Sequence, residues 1–216
     1  MSNEFGYIPQ SQEQSFQSNN GIFSPSDIYD LTRAGKFTNY GQLELIETQT
    51  GTNAATVDFT AIKETEYNIH FMTFNNMQAD TDNKEIMKIQ FYESGVIETA
   101  GVYQRARQNM TATGSFSATG STTDDSISLL GGSGDQSNEK QCAFAYFFNL
   151  GDATKYSFCS WQADTWTSDP YFFTGVGIGG LKQTSQVDGI RVKTNGGNIA
   201  TFTISLYGIK EYFNYL

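Results

Sequence analysis

The sequence is short of histidine, cysteine, proline and positive charge, with one, two, three and 13 of these among 216 residues, against 23 acidic ones. Each shortage excludes a class of chemistry. A single histidine, His70, removes multi-histidine metal centres and leaves a Ser-His-Asp relay only one choice of base. It sits in the middle of a strand-like run, which marks it as a strand residue. Cys142 and Cys159 are too few for a disulfide framework and lack the close spacing of a zinc site, so two buried thiols and one bridge between neighbouring strands stay open as readings. A net charge of −10 argues against nucleic acid and anionic membranes as partners. The one close basic pair, Arg105 and Arg107, falls at alternate positions and reads as one face of a strand. No charged-then-apolar leader and no run of about 18 apolar residues is seen, so the chain is expected to be made in a cytoplasm and not to enter a membrane.

What is abundant is glycine, 21 residues, together with aromatics at 14% and a large supply of Ser, Thr, Asn and Gln. That balance suits a rigid β-protein with a hydroxyl and amide surface. The clearest pattern lies near the end, where Gly189 to Lys193 alternates apolar and charged residues. Asn195-Gly196-Gly197-Asn198 then tolerates positive φ, and Ile199 to Ile209 resumes the alternation. This predicts a β-hairpin, with Ile199, Phe202, Ile204 and Leu206 towards a core that a second sheet must cover.

The chain divides at about residue 42. Residues 1–22 are rich in Gln, Ser and Asn, with isolated apolar points at Phe5, Tyr7, Ile8 and Phe16, the pattern of an extended arm that orders on a partner. Ser24 as N-cap, Pro25 at the first position, Asp27 as the capping-box acid and Gly35 as the stop predict one short helix. Its narrow stripe of Ile28 and Leu31 must dock either on its own domain or on a neighbouring subunit. From Gln42 the period is two. Leu43–Glu47 is expected to start a strand that turns at Gly51–Asn53. Tyr67–Phe74 is dense enough in large residues to be buried on both faces at one end, and Asn75–Lys84 reads as a polar loop. Asn109–Asn138 reads as long exposed loops around two strand candidates, Gly114–Phe116 and Ile127–Leu130. Nine to eleven strands at sandwich spacing predict an all-β jelly-roll-type sandwich over 42–216, preceded by a 1–41 arm and helix. No fixed repeat supports a β-helix.

Signals of chemistry are sparse. Gly175-Val176-Gly177-Ile178-Gly179-Gly180 has the glycine spacing of a dinucleotide loop but leads into a strand rather than a helix, so close backbone approach is expected instead. Asp80, Asp82 and Glu85 are spaced like calcium ligands, yet the loop lacks the required glycine and carries Lys84, which excludes an EF-hand. Asp124 and Asp125 read as solvated acids, and the sequon at Asn109 carries no weight without a secretory route. No carboxylate pair stands out for hydrolysis. No enzyme, cofactor or metal is therefore expected. Trp161, Trp166, Tyr171 and Phe172 cluster beside Asp, Gln and Thr, either capping the core or holding a sugar or protein partner.

The ending Val187-Asp188-Gly189-Ile190-Arg191-Val192, followed by Phe202-Thr203-Ile204-Ser205-Leu206-Tyr207-Gly208-Ile209-Lys210, resembles the ending of many tailed-phage structural and fibre proteins. Val57-Asp58-Phe59-Thr60-Ala61-Ile62 is similar to their first core strands. Phe5-Gly6-Tyr7-Ile8-Pro9-Gln10 and Phe23-Ser24-Pro25 resemble the virion-anchoring start of structural proteins of marine T4-like phages. The resemblance implies a non-enzymatic virion protein, a tail fibre or a capsid decoration. It would meet other virion proteins and host-surface glycan or protein, in a homo-oligomer with trimers favoured. A free carbohydrate-binding module is a further alternative.

Overall fold

The computed structural model describes residues 24–33, 42–167 and 171–210, and the chain divides into two units, Met1–Gln42 and Leu43–Leu216. In the first unit, helix α1 spans Pro25–Arg33. The Asp27 amide donates to Ser24 Oγ at 3.2 Å and the Ser24 amide donates to Asp27 Oδ2 at 2.7 Å, the reciprocal arrangement of a capping box. Hydrogen bonds to its Oδ2 from the Ser24 hydroxyl, and then from the Ser24 amide, hold the Asp27 carboxyl below its ordinary range. The expected anchors Phe5, Tyr7, Ile8 and Phe16, and the Gly35 stop, lie outside the described residues.

The second unit is an all-β sandwich. One sheet holds eight strands in the order β1 (Leu43–Ala54), β13 (Ile199–Ile209), β3 (Ile69–Ala79), β9 (Gln141–Phe148), β10 (Tyr156–Trp166), β11 (Phe172–Thr184), β6 (Tyr103–Thr111) and β7 (Phe116–Asp124). The other runs β2 (Thr56–Phe59), β12 (Val187–Lys193), β4 (Lys88–Glu93) and β5 (Val96–Ile97), with β8 (Ile127–Ser128) also on β4. First pairs with last in the large sheet and second with next-to-last in the small one, the nested order of a jelly roll. Strands β10, β11, β6 and β7 extend the large sheet beyond the β1-β13-β3-β9 half of that pattern.

Several local expectations are corrected. Strands β12 and β13 do not pair with each other. β12 lies between β2 and β4, and β13 between β1 and β3. The Asn195–Asn198 turn, with Gly196 and Gly197 at positive φ, therefore crosses from one sheet to the other. The reason is burial on both sides. Ile190 and Val192 on β12 and Ile204 and Leu206 on β13 are all fully buried, and opposite layers cover both sets where a hairpin would align them side by side. β1 runs through Gly51–Asn53 without turning, and β3 continues to Ala79. The region expected to be exposed loop contains strand β7, whose small polar residues pair along β6, and a buried segment from Ser126 to Leu130.

That buried segment explains the glycines of β11. A Cβ on Gly177 would lie 2.5 Å from Trp161 Cζ2, and one on Gly175 would lie 2.9 Å from Leu130 Cδ1. The glycine run is thus the recess into which the 126–130 segment and the Trp161 ring settle. No helix follows it, in keeping with a strand of close approach.

His70 is fully buried on β3, with Nε2 2.8 Å from the Ile62 carbonyl oxygen. Burial holds its imidazole below the ordinary value near 6.5. The unfolded chain therefore takes up a proton near pH 6.5 that the folded chain refuses. The stabilisation is full above that pH and falls, by up to about 1.4 kcal/mol per pH unit, as the pH drops towards the folded-state value. Denaturant titrations at pH 7 and pH 5 should show this loss in the wild type, and His70→Gln should reduce it; equal slopes would refute the assignment.

Candidate interaction surface

The two outer faces of the sandwich differ in kind. On the small sheet, Arg191 of β12 stands beside Asp58 of β2 and donates from Nε to Oδ1 at 2.6 Å and from Nη2 to Oδ2 at 3.0 Å. It also donates to the Tyr92 hydroxyl at 2.7 Å and lies over that ring. The hydrogen bonds to Asp58 raise the Arg191 pKa further. Lys88 and Lys193 both reach Asp125, at 3.8 Å and 3.2 Å; in the large sheet, Asp124 of β7 holds Arg105 Nε of β6 at 2.6 Å. Asp124 and Asp125, read from sequence as solvated acids, are thus ion-paired. This is the ordinary exterior of a sheet facing water.

The large sheet's outer face has a different composition. Strand registers bring three rows of outward residues together across it. One row runs Leu43, Ile209, Ile69, Phe148, Phe158, Gly180 and Gln104. The next runs Leu45, Tyr207, Phe71, Tyr146, Ser160, Ile178 and Ala106. The third runs Thr48, Ser205, Thr73, Phe144, Gln162, Val176 and Gln108. None of these positions is charged, in a chain with 36 charged residues (13 basic and 23 acidic). Phe71 is the hub of the ring cluster, with centroids 4.8 Å from Tyr146, 6.1 Å from Tyr207 and 6.2 Å from Phe144. The rings half-bury one another, while Leu45, Phe158 and Ile178 stand 59%, 48% and 64% exposed. Beside this ridge of rings, where Gly180, Ser160 and Ala106 are small, lies a groove of about 580 Å³ walled by Phe158 and Ile178.

The aromatic site expected from sequence is divided by the structure. Trp161 faces inward on β10, is 4% exposed, and donates from Nε1 to the Leu129 carbonyl at 2.8 Å. It is a core residue, because alternation along β10 puts it on the covered side, and it has no part in a surface contact. Trp166 and Phe172 are register partners at the end of β10 and β11, edge to face at 4.7 Å, with Phe172 exposed and Tyr171 half-buried. On α1, Ile28 is partly exposed and Leu31 half-buried. Cys142 and Cys159 are both free, Cys142 on the outer side of the large sheet and Cys159 buried on the inner side. Burial and the Asp164 carboxylate raise the Cys142 thiol, and burial raises Cys159 strongly.

The carboxylates spaced like calcium ligands do not converge. Asp80 Oδ2 accepts the Asn198 amide at 2.7 Å, while Asp82 falls in with Asp135 and Glu139 from a distant segment, their oxygens within 4.8 Å of one another.

The outward rings of β3 and β9 are the residues that sequence reasoning missed. Their signal was present in the runs Tyr67–Phe74 and Cys142–Leu150, which carry more large apolar residues than one buried face needs. The sequence reads the excess in Tyr67–Phe74 as burial on both faces at one end, and the structure leaves one face open. Compared with known proteins, the chain matches no protein-family model, no curated protein and no solved structure.

Proposed function

We propose that this chain is a non-enzymatic structural protein of a tailed-phage particle, displayed on its surface. The favoured role is a tail-fibre or fibre-like component concerned with host recognition, and the alternative is a capsid decoration. One observation carries the assembly part of this reading, namely the contrast between an outer face closed by ion pairs and an opposite outer face whose three central rows are broad, ring-rich and uncharged. Apolar patches of that extent mark protein contact sites, since leaving them in water is costly. The capped helix and the polar arm before it supply a separate attachment device, and the sequence resemblance to phage structural proteins supplies the particle.

Mass spectrometry of purified phage particles should find this chain at the abundance of a structural component, and its absence would overturn the reading. Deleting residues 1–35 should leave a soluble, folded sandwich that no longer joins the particle. If the truncated chain still assembles, attachment belongs to the sandwich.

A second reading, glycan recognition, is favoured only by the pair of half-buried Trp166 and exposed Phe172, an aromatic platform next to the Asp164–Thr174 register pair. Trp166→Ala should then abolish retention on a glycan array that holds the wild type.

A further inference from the structure

We infer that the uncharged outer face of the large sheet is a self-association interface, in which two copies of this chain pack face to face about a two-fold axis. The inference deepens the structural-protein reading by naming the partner of that face.

The committed occupant follows from shape, area and charge. The face has two unlike halves. Strands β13, β3 and β9 carry the ridge of Tyr207, Phe71 and Tyr146, while β10, β11 and β6 carry the groove floored by Ser160, Gly180 and Ala106. An isologous contact requires a surface that complements itself after rotation. An axis lying between the two sheets and running along the strands, between β9 and β10, exchanges the halves. It sets Tyr207, Phe71 and Tyr146 of one copy over Ala106, Ile178 and Ser160 of the other, and Ile69 over Gly180. Tyr207, Tyr146 and Ile69 thus meet the small Ala106, Ser160 and Gly180 on both sides of the axis, while Phe71 meets Ile178 and Phe148 meets Phe158 in apolar contact. Sheets of the same twist pack in this aligned manner, about 10 Å apart.

Seven strands about 4.8 Å apart crossed by three rows about 6.7 Å apart give a plan area on the order of 600–700 Å². The corrugated side-chain surface is larger, which brings it near the ~800 Å² per partner of a stable interface. Charge selects the same occupant. The three rows carry no charge, so a partner with a charged surface would bury its charges against rings, whereas a second copy brings the same uncharged rows; the two cations that line the groove, Arg105 and Lys182, sit outside those rows, Arg105 already paired with Asp124.

The test uses the full 216-residue chain in sedimentation equilibrium from about 1 to 100 μM, alongside circular dichroism and thermal melting of each variant. The wild type should be a dimer of the 23.9 kDa chain. Ile178→Lys on the groove side and Phe71→Asp on the ridge side should each weaken association at least 100-fold with folding retained. Mixing the two should restore a heterodimer, because the axis brings the introduced lysine and aspartate together in one half while the other half stays wild type. Val96→Asp, at a residue 69% exposed on the small sheet, should leave dimerisation unchanged. If Phe71→Asp fails to fold, Phe71→Ser takes its place and must still weaken association.

A wild type that stays monomeric at 100 μM overturns the inference. So do folded variants that associate as tightly as wild type, and a trimer, which one two-fold face cannot close. If dimerisation needs residues 1–41 rather than the face, the occupant is the arm and the inference fails. The particle experiment is independent: a chain that dimerises in solution but is absent from particles would defeat the proposed function and leave this interface standing.

Discussion

Gly177→Val should cost the domain about 3 kcal/mol or more, at the upper end of what overpacking a core does. The new side chain would begin 2.5 Å from Trp161 Cζ2 and 2.7 Å from the Ala106 carbonyl oxygen. Neither neighbour can yield. The oxygen belongs to β6, whose register with β11 is fixed along nine consecutive pairs from Phe173 with Thr111 to Leu181 with Tyr103. The indole is buried and tied through Nε1 to Leu129. For a domain of this size the melting temperature should fall by roughly 6 to 12 °C. Val176→Ala, one residue away but pointing outward, should change it far less. Equal melting temperatures for Gly177→Val and wild type would show that the recess is not tight.

Phe147→Ala is the second large effect, expected at about 3–5 kcal/mol. Phe147 comes from β9 in the large sheet and meets Phe91 of β4 in the small sheet edge to face at 6.0 Å, both rings fully buried. Phe91 in turn lies 6.0 Å from Tyr103, whose hydroxyl accepts the Phe91 amide at 2.9 Å and donates to the Glu98 carbonyl at 3.1 Å. Removing the Phe147 ring leaves a void at the point where three strands from two layers converge. Chemical denaturation should show a lower midpoint with little change in slope, and a loss under about 1 kcal/mol would mean that the layers close over the gap.

These two sites also show how far the sequence could be read. The outward and inward alternation of β13 was legible, because apolar residues at alternate positions can be satisfied only by a covered face. The helix start was legible too, since Ser24, Pro25 and Asp27 act within a few residues of one another. The pairing of distant strands was not. Ile199 to Ile209 has the same pattern whether its neighbour is β12 or β1, and only the need to cover both inner faces decides. Strand β7 escaped notice because its residues from Phe116 to Asp124 are held by backbone pairing to β6, which leaves no apolar trace. For Trp161 the sequence left core and partner contact both open, and the structure decides for the core. The ring-rich face was visible as an excess of aromatics, but an excess does not reveal which rings remain uncovered.

The nested pairing of β1 with β13 also governs when the domain can be completed. Thr48 and Ser205, joined hydroxyl to hydroxyl at 2.9 Å, are 157 residues apart in the chain. During synthesis the first strand must wait, its edge open, until the chain as far as Ile209 has left the ribosome. Closing so long a loop before any local reward makes folding slow. Until β13 is made, the edge of β3 that it covers stays open as well.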